Sequence, residues 1–212
     1  MKILAVFLCL LTVSCASTPR AGSSPKPINV YRAVATLPAE LRRVAVLPVT
    51  IDVGDTTMQE GRGSLESVLR GELNKTGAFE VIPVSHEQLR AVTGHGEWSA
   101  EDSLPTDFFA RLQQAFGCDA VMFCKLTEFR AYPPLAVGWS LTLVDTHTQA
   151  IVWAADEVFD AGKPCVASEA CDYYSRDLST PPPLADPSSI LLSPRWFGQY
   201  AASTVLDTLP GH

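Results

Sequence analysis

No apolar run in the 212-residue chain reaches 18 residues, so nothing in it reads as a conventional membrane-spanning helix. Basic residues are scarce: 16 Lys and Arg against 23 Asp and Glu leave a net charge of −7 and a pI near 5.0. Without surplus cations to replace phosphate counterions, the balance argues against a nucleic-acid-binding domain. Charged residues make up 18% of the chain and hydrophobic ones 47%, which is too apolar for intrinsic disorder. Catalytic motifs are also missing. His86, His95, His147 and His212 show no HExxH or comparable metal spacing, and there is no GxSxG nucleophile elbow. Gly61-Arg62-Gly63-Ser64 lacks the P-loop lysine and the third glycine of a dinucleotide fingerprint, and reads as a flexible opening to a helix. Asp156 and Glu157 are adjacent on a strand, so their side chains point to opposite faces and form no carboxylate dyad. The expectation is no catalytic residue, no metal and no cofactor, in a chain long enough for one domain.

What is present begins with a targeting pattern. Met1-Lys2 supplies one positive charge, and Ile3 to Val13 follows as 11 mostly apolar residues, the length of a secretory-signal core. It runs through Leu11-Thr12-Val13-Ser14 into Cys15 and resembles a bacterial lipobox, although Thr12 stands where Leu or Val is commoner. Residues 1–14 are thus expected to be a lipoprotein signal peptide and Cys15 the lipidated residue, with an ordinary secretory signal as the alternative. Ala16, rather than Asp, implies sorting to the outer membrane, facing the periplasm. Acyl chains contribute roughly 0.8 kcal/mol per buried methylene. Removing residues 1–14 takes away only Lys2 and leaves 15 basic and 23 acidic residues, net −8. An acidic body has no pull toward anionic lipid, so the acyl chains must hold it.

Residues 15–40 read as the lipidated cysteine and a flexible tether, with Pro19, Pro25, Pro27 and several Ser and Gly. From Cys15 to Ala39 the tether spans at most about 80 Å at ~3.3 Å per residue. Residues 41–212 form one domain. Arg43 to Val49 and Phe79 to Val84 read as strands, each followed by an amphipathic helix: Gly61 to Gly77 after the first, and a short one capped by Ser85 after the second. A further helix spans Thr106 to Phe116. Asp119 to Ala131, Leu135 to Thr146 and Ala150 to Phe159 are joined by breaks short enough for hairpins. Lys163 to Pro194 holds 6 of the 16 prolines and reads as an insertion, either an extended surface loop or partly disordered. Ser193-Pro194 opens a closing helix. The fold class expected is α/β (α+β): a mixed sheet with two N-terminal strand–helix units, an antiparallel meander and a C-terminal packing helix.

Several short motifs carry a family resemblance. Val44-Ala45-Val46-Leu47-Pro48, the stretch Lys75 to Ile82, Gly117-Cys118-Asp119-Ala120-Val121, and Leu143 to Trp153 resemble the CsgG/TolB-N-like periplasmic lipoprotein group. The third matches the group's "GADAV" and the fourth its "LVDxxTGxxVW" hairpin, with Gln149 in place of the usual turn glycine. The resemblance covers residues 42–160 and 194–210, and its motifs specify a fold better than a function. Members include a curli secretion channel, an exopolysaccharide-export ring lipoprotein and a lipoprotein activator of a penicillin-binding protein. The resemblance implies a non-enzymatic module that binds an envelope protein or self-assembles, a homo-oligomeric ring included. A periplasmic hydrolase or small-ligand binder is the alternative. A secretion channel is a further one, although the meander loops are too short for spanning strands of ~9–11 residues.

Among the remaining cysteines, Cys118 and Cys124 lie six residues apart on one predicted strand. At ~20 Å they are too distant to bridge, and they read as buried small hydrophobes. Cys165 and Cys171 flank a short loop of the insertion and are the disulfide candidate, with a chain-entropy contribution of roughly 2–3 kcal/mol. Trp153 and Trp196 read as packing residues in core elements. Trp98, in the loop Gly94 to Ser103, is the interface candidate, with local packing as its alternative.

Overall fold

The computed structural model describes residues 27, 29–52, 54–177 and 186–211. The predicted signal peptide, Cys15, residues 16–26 and 28 of the tether, Pro181 to Pro183 and His212 lie outside the described residues. Six strands form one mixed sheet in the order β1-β6-β5-β4-β2-β3. They are β1 Val30–Arg32, β2 Arg43–Val46, β3 Glu80–Pro83, β4 Ala120–Arg130, β5 Ala136–Asp145 and β6 Ile151–Asp160. β2 runs parallel to β3 and β4, while β4, β5, β6 and β1 are antiparallel in succession. The mixed sheet, the two strand–helix units and the meander are as expected.

The helices are α1 Thr56–Thr76, α2 His86–Thr93, α3 Phe108–Phe116, α4 Pro164–Asp177 and α5 Pro194–Leu206, with a 3₁₀ turn at Pro187–Leu192. Their ends follow local chemistry. The Asp55 side chain accepts from the Thr57 and Met58 N–H groups, and Ser85 with Gln88 forms a capping box. Gly77, Gly94 and Gly117 each close a helix in the left-handed conformation. Alternation along β2 and β4 divides the core. Val44, Val46, Met122, Cys124 and Leu126 face α1, α4 and α5, whereas Ala45, Leu47, Val121 and Phe123 face α2 and α3. The result is three layers, with α5 closing one face as predicted.

The Asp119 carboxylate joins the two halves. Its Oδ2 accepts the Arg42 and Arg43 backbone N–H groups at 3.0 and 2.9 Å, locking the start of β4 to β2. Gln149 turns the β5–β6 connection at φ 59°, a left-handed conformation that costs an L-residue with a Cβ about 1–2 kcal/mol. Gln149→Gly is therefore expected to stabilise the domain by about 1 kcal/mol, read as a higher urea midpoint with an unchanged m-value.

The structure corrects three expectations. The domain begins before residue 41: β1 adds to β6, Leu37 donates its N–H to the Gly211 carbonyl, and Leu37 and Leu41 are buried. Gly61 is no flexible opening; it lies within α1, against β4, where an added Cβ would sit 2.5 Å from Phe129 Cγ. Much of the proline-rich insertion is α4, which buries Val166, Ala170, Tyr173 and Tyr174 at helical spacing.

Candidate functional site

Two places on the second face of the sheet gather side chains that the core does not consume. The first is a cleft where β2 ends beside β4. The chain between β2 and α1 continues the pairing, since Thr50 N–H donates to the Cys124 carbonyl and Leu126 N–H to the Thr50 carbonyl, each at 2.9 Å. In an open sheet the crossover to one face on one side and the other face on the other side leaves a crevice at this position. Here α1 and the α2–α3 pair occupy opposite faces, and the crevice measures about 120 Å³, lined by Thr50, Phe123, Lys125, Ser140, Thr142 and Ile151 among others. Lys125 Nζ lies 3.1 Å from Asp52 Oδ1 and 3.3 Å from Glu101 Oε2. The Asp52 carboxylate, more than Glu101, holds the Lys125 ammonium above its ordinary value, so it is a fixed cation and no base. Beside it, Glu97 Oε1 joins Arg62 of α1 at 2.7 Å to His86 of α2 at 3.2 Å. Among the described residues no histidine lines the crevice.

The second place is the half of the sheet that α2 and α3 leave open. Trp153 and Ala155 of β6 point into the core, so Ala154, Asp156 and Val158 point away from it. Tyr31 of β1 stands opposite Ala154, and Thr142 and Ser140 of β5 stand opposite Ala154 and Asp156. Tyr31, Ile151 and Val158 are 56%, 45% and 41% exposed, and the carboxylates of Asp52, Glu101 and Asp156 border the same surface. A sheet covered on one face only normally presents alternating polar residues to water. This one presents Tyr31, Ile151 and Val158 among Ser140, Thr142 and Asp156.

The remaining sequence candidates do not converge. Cys165 and Cys171 are free, and both lie on α4, where six residues separate them by about 9 Å along the axis on different sides. The expected disulfide is therefore corrected: a helix, not a loop, connects them. Trp98 is likewise no exposed anchor. It is half-buried, its Nε1 donates to Thr93 Oγ1 at 2.8 Å, and its ring meets Phe108 edge-on. Trp196, expected in the core, is 36% exposed against Tyr174. Cys118 and Cys124 are buried, and desolvation pushes their thiols up to about 11 and about 12, so neither is a thiolate at neutral pH. His147 sits in the β5–β6 turn with Nε2 2.9 Å from Gln113 Nε2, and Asp145 Oδ1 accepts the His147 and Thr148 N–H groups. Among the described residues no group of three His, Cys, Asp or Glu is arranged to hold a metal ion. Sequence reasoning missed the Lys125 crevice, because Asp52, Glu101 and Lys125 lie on separate segments without a shared motif.

At the far end of β6, Asp160 Oδ1 accepts the Gly162 N–H at 2.8 Å and Oδ2 meets Arg130 at 3.3 Å. The Gly162 N–H first, then Arg130, holds this carboxyl below the usual aspartate range. A depressed folded-state pKa contributes stability above the unfolded value, and that contribution is lost as pH falls through the folded one. Asp160→Asn should therefore lower stability at pH 7 and show a shallower loss from pH 5 downward, measured by urea titration across that range.

No family model matches the chain, and no curated protein matches it. Solved structures do. It is similar to the PelC dodecamer from Paraburkholderia phytofirmans at 15% identity and a TM-score of 0.47, over 86% of this chain and 96% of that one. Lipoprotein GNA1162 from Neisseria meningitidis matches at 16% identity and a TM-score of 0.43, over 65% and 99%. The C-terminal domain of LpoB from Escherichia coli matches at 20% identity and a TM-score of 0.37, over 60% and 86%. The structures that resemble it include a lipoprotein and the subunit of a dodecamer.

Proposed function

We propose that the chain is a non-enzymatic lipoprotein, held at the outer membrane through Cys15, whose periplasmic domain binds an envelope protein. The observation that carries this reading is the uncovered β5–β6–β1 surface, with Tyr31, Ile151 and Val158 exposed beside the carboxylates of Asp52, Glu101 and Asp156. Exposed apolar area marks an interaction site, and a carboxylate border favours a partner that presents Lys and Arg. The lipobox-like segment ending in Cys15 supports the anchoring, and the acidic mature chain makes lipid the only evident means of attachment. The domain fits the CsgG/TolB-N-like group by its motifs, and self-assembly through the same surface is the version in which the partner is a second copy.

A photo-crosslinking residue placed at Val158 or Ile151 in the native lipoprotein is expected to trap one protein partner in envelopes, and one at Gly63 on the opposite face is not. Equal labelling from both faces, or none from the sheet, overturns the interaction reading. Cys15→Ser is expected to release the protein from the membrane fraction; unchanged attachment overturns the anchoring.

A further inference from the structure

The register of β1 fixes the end of the domain from which the N-terminal chain arrives. β1 runs antiparallel to β6 with Val30 opposite Ala155, and Asp156 N–H donates to the Asn29 carbonyl. β1 therefore starts on the side of Asp160, the end of β6. Asp160 pairs with Ala136, and Ala136 with Arg130, so this is also the end that carries the β4–β5 hairpin tip. Cys15 lies only 12 residues before Pro27, a reach of at most about 40 Å at ~3.3 Å per residue. The chain thus enters β1 at the end of the molecule that carries the hairpin tip.

The chemistry of that end differs from the rest of the surface. Tyr132 at the tip is 82% exposed, the most exposed large hydrophobic side chain among the described residues, and Pro133 and Pro134 beside it are exposed too. The turn after β6 lies alongside, since a Cβ on Gly162 would sit 3.6 Å from Pro134 Cγ. Residues 131–135 and 161–165 carry one formal charge between them, that of Lys163. Asp160, at the end of β6 beside this turn, is already engaged by Arg130 and the Gly162 N–H. A rim of Tyr, Pro and Lys with no free carboxylate, on a chain of net −7, is the part of this surface compatible with a lipid headgroup layer. Tyrosine settles at headgroup depth, and a lysine stem lies along the interface with its ammonium in water.

We infer that the Tyr132–Pro134 hairpin tip is a membrane-contacting element that seats this end of the domain on the bilayer bearing its lipid anchor. The inference rests on the anchoring proposed for Cys15. The tip touches the interface without crossing it, because three exposed residues cannot span a hydrocarbon core of about 30 Å. Such seating turns the β5–β6–β1 surface sideways, parallel to the membrane normal, where a partner can reach it.

The test uses the full lipidated protein reconstituted in phosphatidylethanolamine–phosphatidylglycerol vesicles, with and without bromine-labelled acyl chains. Tyr132→Trp is conservative at so exposed a site, and its emission is read as the difference from the wild-type protein. Seating predicts that the added emission shifts to shorter wavelength on reconstitution and that brominated lipid removes most of it. Tyr31→Trp, on the open sheet surface, is expected to show neither change. Floated protein whose Tyr132→Trp emission stays water-like and unquenched overturns the seating while leaving the anchor intact. Quenching at Tyr31→Trp alone, meaning a domain lying on its sheet, overturns it as well. Protein absent from the floated fraction overturns both the seating and the anchoring.

Discussion

Trp153→Ala is expected to destabilise the domain by about 3–5 kcal/mol, the range for removing a fully buried aromatic side chain. Trp153 is 0% exposed, and its Nε1 donates to Thr208 Oγ1 at 3.1 Å. Thr208 follows α5, its hydroxyl also donates to the Val205 carbonyl, and its own carbonyl accepts the Arg32 Nε–H. One indole therefore ties β6, β1 and the end of α5 together. Its loss should lower the melting temperature by about 6–20 °C, at the 2–4 °C per kcal/mol typical of this chain length. Trp153→Phe keeps most of the volume and forgoes the hydrogen bond, so a loss nearer 1–2 kcal/mol is expected. Equal effects of Ala and Phe in calorimetry would show that the hydrogen bond, not the filled volume, dominates.

Gly61→Val is expected to cost about 3 kcal/mol or more, and Gly63→Ala to stabilise by about 0.5–1 kcal/mol. The two glycines sit two residues apart on α1 and differ only in what faces them. A Cβ at Gly61 would meet Phe129 at 2.5 and 2.7 Å and Leu126 at 2.9 Å, and these side chains are themselves buried. Gly63 has nothing within 4 Å and faces solvent, so a Cβ there only removes backbone freedom from the unfolded chain. Denaturant midpoints moving in opposite directions would establish that α1 is held against β4 by close backbone approach. If both fell, the gain expected at Gly63 would be overturned while the close approach at Gly61 stood.

Features written in consecutive residues were legible before the structure. Gly77, Gly117 and Ser85 mark helix ends through backbone conformation and a side-chain oxygen, both local effects, and each performs that role. The meander is legible for the same reason, since its strands are long and their turns short. β1 was not: three residues have too little periodicity to stand out from a proline-rich approach, and their partners lie more than 100 residues away in β6. α4 carried a signal that could have been used. Val166, Ala170, Tyr173 and Tyr174 fall at helical spacing behind Pro164, a residue well suited to a first helical position, but the proline content of the whole segment obscured them. Trp98 and Trp196 exchanged expected places because a loop residue can be drawn onto Phe108 while a helix residue faces outward.

The sequence by itself determined the lipobox-like N-terminus, the order and type of most elements, and the absence of recognisable catalytic motifs, because each depends on residues near one another in the chain. Only the tertiary structure decided which half of the sheet stays open, that Asp52 and Glu101 meet at Lys125, and that the Tyr132 hairpin tip lies at the end where β1 begins. Those depend on strand order, register and the face each crossover takes. Such choices are fixed by burial summed over the whole core, and no short window of sequence contains that sum.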